Sequence, residues 1–131
     1  MAARMTESAL PPMVDAPPAT TLVIVLAGVS AEAAHLAMRY AAAAAAMDIA
    51  VELHAISAGA VAWFCRDGAA PGLLLQIRQA VEFGADIFVC PMALSDRGLR
   101  TEELIEEVSG VRGAASLLAA GVAPGARFLN F

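Results

Sequence analysis

The segment Thr21-Leu22-Val23-Ile24-Val25-Leu26 is apolar after its first residue and rich in β-branched side chains. A half-solvated strand alternates polar and apolar residues, whereas a continuous run marks a strand covered on both faces. Such strands belong to parallel sheets with helices packed on them. This run therefore predicts an α/β fold. It ends at Ala27-Gly28, and Ser30 follows as a helix N-cap with Glu32 in the first turn. That helix is expected to run to about Met47. Its Ala41–Ala46 stretch combines the best intrinsic helix propensity with small side chains, which permit close packing.

The rest of the chain continues the alternation. Ile49 to Ile56 reads as a second strand, Ser57-Ala58-Gly59 as a turn, and Ala60–Phe64 as one helical turn. A loop runs from Arg66-Asp67-Gly68 to Pro71-Gly72. Leu73, Leu74, Ile77, Ala80 and Val81 form a helical stripe reaching Phe83, with Gly84 as its C-cap. Asp86 to Cys90 reads as the third strand and Pro91 to Gly98 as a loop. Thr101 is expected to cap a helix to about Val108, with Glu102 and Glu103 in its first turn. Val111-Arg112 reads as a very short strand, Ala114–Ala120 as a helix ending at Gly121, and Ala126–Phe131 as a last strand. The order predicts a three-layer α/β sandwich: a mostly parallel five-stranded sheet, flavodoxin-like in its winding, with right-handed crossovers. Reactive groups in such sheets gather at the carboxyl ends of the strands. Those ends are Ala27–Ser30, Ser57–Ala60 and Cys90–Arg97.

A chain of 131 residues supports one domain, expected over residues 20–131. Residues 1–19 carry Pro11-Pro12 and Pro17-Pro18 without apolar periodicity and read as a flexible tail. Apolar residues make up 60%, above the usual ~45–50%. The surplus predicts a subunit interface and hence a homo-oligomer or complex. Net charge is −5, and the basic residues are all Arg without a basic stripe, which argues against nucleic-acid binding. The apolar run at Thr21–Val29 follows about twenty residues containing Glu7, Asp15 and four prolines, a poor leader for a signal peptide. Arg39, Asp48 and Glu52 interrupt the longest apolar stretch, which excludes a membrane span and predicts a cytoplasmic protein.

Cys65 and Cys90 make no disulfide framework, and their spacing does not suit a metal site. No metal or cofactor is expected. Gly28-Val29-Ser30 offers a helix N-terminus to an anion but lacks the dinucleotide and P-loop patterns, so a plain strand–helix joint is the commoner explanation. Cys90 is the chemically promising residue. Pro91 keeps it extended at the strand end, where the N-terminus of the helix beginning near Thr101, with Arg97 and Arg100, would favour its thiolate. The alternative is a small apolar residue packed beneath a helix. Cys65 is a possible second thiol, though an incidental cysteine is the simpler reading. Gly28, Ser30, Ser57, Gly59 and Pro91 are the expected pocket residues. His35 and His54 fall away from this edge and read as structural or interface residues, Trp63 as a core or interface anchor. The Glu102-Glu103 and Glu106-Glu107 pairs read as a solvated acidic helix face.

The chain resembles the DsrE/DsrF-like sulfur-relay proteins over roughly Thr21 to Phe131. Four features carry the resemblance: the opening strand with its small-residue turn; the helix–strand–Ser57-Ala58-Gly59 passage; Ile87-Phe88-Val89-Cys90 followed by Arg97-Gly98-Leu99 and Glu102-Glu103-Leu104-Ile105; and the closing Phe128-Leu129-Asn130-Phe131. The resemblance implies a sulfur carrier or sulfurtransferase that holds sulfane sulfur as a persulfide on Cys90. It implies partner proteins as donor and acceptor, and a homotrimer or hexamer. Some relatives lack the cysteine, so a non-catalytic assembly subunit stays open, as does a small-ligand-binding module using the strand-end crevice.

Overall fold

A computed structural model describes residues 20–131. The expected tail at 1–19 lies outside the described residues. Five strands, β1 (Thr21–Leu26), β2 (Ala50–Ala55), β3 (Asp86–Val89), β4 (Gly110–Val111) and β5 (Ala126–Asn130), form one sheet in the order β4-β3-β2-β1-β5. Every pairing is parallel. The helices are α1 (Ala31–Ala46), α2 (Ala58–Val61, extended by a 3-10 turn Ala62–Phe64), α3 (Pro71–Glu82), α4 (Pro91–Arg97) and α5 (Ala114–Gly121). No helix among the described residues is long and apolar enough to cross a membrane.

Strand order sets the layers. Steps from β1 through β4 all move one way across the sheet, so right-handed crossovers put their helices on one face. The step to β5 reverses direction and sends α5 to the other face. The sheet is thus doubly wound, with its reversal between β4 and β5, later in the chain than in the flavodoxin order. The main core holds Ile24, Leu26, Leu53, Ala55, Ile87 and Val89 against α1 and α3. The opposite face carries Val23, His54 and Phe88, and its one helix among the described residues, α5, buries no residue.

Local chemistry explains the elements. The Ser30 hydroxyl accepts the Ala33 N–H at 3.0 Å and starts α1. Ala34, Ala37, Met38, Ala41, Ala44 and Ala45 form its buried stripe. The helix stops where Asp48 turns left-handed (φ 63°), its N–H bonded to Ala45 O at 3.0 Å. His35 on α1 joins Gln76 on α3 at 2.7 Å and ties the two helices together.

Two segments differ from the sequence reading. Pro91–Gly98, expected as a loop, contains α4. Proline fits the first helical position because its missing N–H has no partner there anyway, and Gly98 (φ 72°) closes the helix in the left-handed region. The helix expected over Thr101–Val108 is only a 3-10 turn at Thr101–Glu103. Leu104 goes extended to bridge Cys65, and Ile105 donates its N–H to Phe64 O at 2.9 Å. Burial of these two side chains outweighs local helix preference. The four glutamates therefore do not share a helical face: Glu103 accepts the Arg100 N–H at 3.0 Å, and Glu107 accepts from Arg78 at 2.9 Å.

Because Ala41 sits fully buried against the sheet, Ala41→Leu has no room for its added carbons. Chemical unfolding should show it losing about 1–3 kcal/mol. Ala43→Leu, on the exposed side of the same helix, should change stability by less than about 0.5 kcal/mol.

Candidate functional site

The carboxyl ends of β1, β2 and β3 lie side by side and are stitched together. Ser57 caps α2 by accepting the Ala60 N–H at 3.0 Å, and its hydroxyl donates to Ala27 O at 2.8 Å, tying the end of β2 to the end of β1. Ala27 and Gly28 both donate their N–H groups to Phe131 O, at 2.9 and 3.0 Å. The Gly28 amide is thus bonded to Phe131 O, and the Ser30 hydroxyl accepts the Ala33 N–H within the strand–helix joint.

Cys90 ends β3. Its N–H donates to Ala55 O at 3.0 Å, and its carbonyl accepts the Leu94 N–H at 3.0 Å. It is the N-cap of α4, extended as Pro91 requires (φ −76°, ψ 127°), and its side chain makes no capping hydrogen bond. The helix beside the thiol therefore begins at Pro91 rather than near Thr101. Pro91 has no N–H to offer, which leaves Met92 and Ala93 as the first-turn amides without an intrahelical partner. The Cys90 side chain is half-buried and a free thiol.

Arg97 and Arg100, expected near Cys90, are placed elsewhere. Arg97 lies in the last turn of α4, about 10 Å along the helix axis from Cys90. It lines a cavity with Cys65. Arg100 is exposed and paired with Glu103 at 3.4 Å. The cation that the fold does bring beside Cys90 is Arg112. The register Phe88↔Gly110 and Val89↔Val111 makes Cys90 and Arg112 the next lateral pair, and the Arg112 N–H bonds Val89 O at 3.0 Å. Its guanidinium lies 4.0 Å over the Phe88 ring and 3.9 Å from Glu52, on the strand face that alternation assigns to Cys90. Sequence reasoning missed Arg112 because only the register of a two-residue strand reveals it. His54, on the same face, is buried and bonds Glu52 through Nε2 at 3.1 Å.

Cys65 is also a free thiol, but its side chain is buried, with Sγ 3.6 Å from Val61 O. Burial pushes its thiol pKa up, Glu103 and Asp67 add to this, and Arg97 and Arg66 oppose it. The Trp63 indole N–H donates to Val29 O at 3.2 Å and fixes the neighbouring wall. Gly59 sits beneath Val29, where a Cβ would approach Val29 Cγ1 to 2.3 Å. No group of three or more His, Cys, Asp or Glu among the described residues is arranged to hold a metal ion.

The DsrE/DsrF-like family model matches residues 20–131. The chain belongs to the DsrE/DsrF-like family. Its fold is similar to three solved structures. The ychN protein from E. coli matches at TM-score 0.70 and 18% identity, over 86% of this chain and 98% of that one. A protein of unknown function from Methanobacterium thermoautotrophicum matches at 0.67 and 15%, over 85% and 98%. A conserved protein of unknown function from Bacteroides thetaiotaomicron matches at 0.68 and 15%, over 86% and 95%. At these identities the likeness is one of fold. No curated protein matches the chain.

In this DsrE/DsrF-like chain, Ser57 is the stitch that holds two of the three strand ends together. Ser57→Ala removes both of its hydrogen bonds and should cost about 1 kcal/mol in denaturant unfolding. An unchanged midpoint would mean that water replaces both bonds without loss.

Proposed function

We propose that the protein is a sulfur carrier in a sulfur-relay system, with Cys90 as the residue that holds the sulfur. The observation carrying this reading is the state of Cys90: a free, half-buried thiol at the carboxyl end of a parallel strand, uncommitted to any capping bond. Family membership supports the sulfur chemistry. Partner proteins are the donor and the acceptor.

The transfer is thiol exchange. The Cys90 thiolate attacks the terminal sulfur of a donor persulfide. The donor's S–S bond breaks and its own thiolate leaves, while a new S–S bond forms at Cys90. The terminal sulfur keeps its proton or exchanges it with water, and no net oxidation occurs. Attack by an acceptor thiolate on that terminal sulfur repeats the step and returns Cys90 as thiolate. Arg112 is the cation closest in register. It serves this chemistry by swinging from Phe88 toward the anionic sulfur, a short rotation of a flexible side chain.

Intact-mass measurement after treatment with inorganic polysulfide tests the assignment. The native protein should gain one sulfur atom, Cys65→Ser should gain it equally, and Cys90→Ser should not. Arg112→Gln should load several-fold more slowly, and Arg97→Gln at the native rate. Equal loading of Cys90→Ser and native protein would overturn the proposal.

A second reading, an assembly subunit, is favoured by α5. Its sequence Ala-Ala-Ser-Leu-Leu-Ala-Ala-Gly buries no residue, and Leu118, Val122 and Phe128 stand exposed beside one another in the chain's last helix and strand. Gly121 admits the Phe128 ring against this helix, which gives the face a continuous apolar surface. The two readings are compatible, since a carrier can assemble through this face into the trimer or hexamer expected from the resemblance. Leu118→Asp combined with Val122→Asp should reduce the solution mass by light scattering to that of a monomer. Retention of the native mass would exclude this face as the contact.

A further inference from the structure

Two cavities open at Arg97, in the last turn of α4, the opposite end of that helix from Cys90. One, about 260 Å³, is walled by Val29, Gly59, Ala62 and Trp63. The other, about 230 Å³, is walled by Cys65, Arg66, Asp67, Leu99 and Glu103. Both are also lined by Ala62, Gly68 and Arg97, so they are the two lobes of one groove with Arg97 at the junction. Cys90 lines neither lobe.

The two lobes differ in chemistry. The first is apolar and preformed. Trp63 is held by its bond to Val29 O, and Val29 rests on Gly59, where no side chain larger than hydrogen fits. The second is polar and close to neutral. Its Arg66 donates to Leu104 O at 3.4 Å, and its Glu103 is engaged by Arg100. Arg97 has no carboxylate of any described residue within ion-pairing distance. A planar guanidinium with no carboxylate partner among the described residues, set at the mouth of an apolar slot, matches a planar oxyanion joined to an apolar body.

Size and charge narrow the class. A cavity of about 150 Å³ holds one benzene ring, so the apolar lobe admits a single ring or a branched aliphatic chain of similar bulk. Asp67 and Glu103 would repel a phosphate dianion, whereas one arginine balances one carboxylate. We infer that this groove is a binding site for small monocarboxylates with an aromatic or branched apolar body, held by Arg97 and Trp63. The site is separate from the Cys90 thiol, so the inference does not depend on the sulfur-carrier reading.

Trp63 is the chain's one tryptophan and reports directly on the apolar lobe. Phenylacetate, titrated to millimolar concentrations at constant ionic strength, should shift Trp63 emission saturably. The same titration should slow alkylation of Cys65, measured at alkaline pH, at least several-fold. Phenylacetamide, which lacks the charge, should bind at least tenfold more weakly, and Arg97→Gln should weaken phenylacetate by a similar factor. Arg97→Lys should recover part of the loss. A non-saturable response, equal binding of acid and amide, or an Arg97→Gln variant that binds phenylacetate as the native protein does would each overturn the assignment. Circular dichroism of the variants distinguishes a lost site from a lost fold.

Discussion

A backbone buried on both faces has only its strand neighbours to bond with, and in this protein that constraint sets everything else. The apolar β1 run leaves its N–H and C=O groups no water to meet, so β2 and β5 flank it in parallel register over nearly its full length. Parallel pairing then forces a crossover at each step and aligns all the carboxyl ends on one edge. The Ser57 hydroxyl and the two amides on Phe131 O tighten that edge. Whatever residue follows β3 is delivered there, and it is a cysteine.

The two thiols show how much position decides. Cys90 caps a helix with its backbone and leaves its side chain uncommitted. Cys65 directly follows the 3-10 turn that extends α2, and Leu104 and Ile105 fold over it from a distant part of the chain. Burial holds its proton on, and the nearby arginines only partly offset this. The same residue type thus stands as a half-buried free thiol in one place and as cavity wall in the other. Arg97 belongs with the wall, and Arg112 with the strand end that carries Cys90.

Much of this architecture was legible in the residues. The continuous β1 run, the Ser30 cap and the alanine stripe of α1 are local signals, and the structure reproduces them because burial and propensity agree there. The placement of Cys90 at a strand end followed from the same logic. What could not be read depended on contacts between remote segments. Pro91 signals a break in one context and a first helical turn in another, and the choice here falls to the turn. Thr101–Val108 has a helical spacing of acids, but pairing with Phe64 and Cys65 draws Leu104 and Ile105 out straight. Arg97 is close to Cys90 in sequence and a whole helix away in space. Arg112 is distant in sequence and adjacent in register.

The carrier reading requires the thiol at the sheet's edge to be more open to solvent-borne reagents than the buried one. Rates of alkylation by iodoacetamide at neutral pH, resolved for each cysteine by peptide mass spectrometry on the native protein, measure that difference directly. Cys90 should react at least tenfold faster than Cys65, and the gap should close once the chain is unfolded in denaturant. Native-state rates that are equal, or that favour Cys65, would contradict the account.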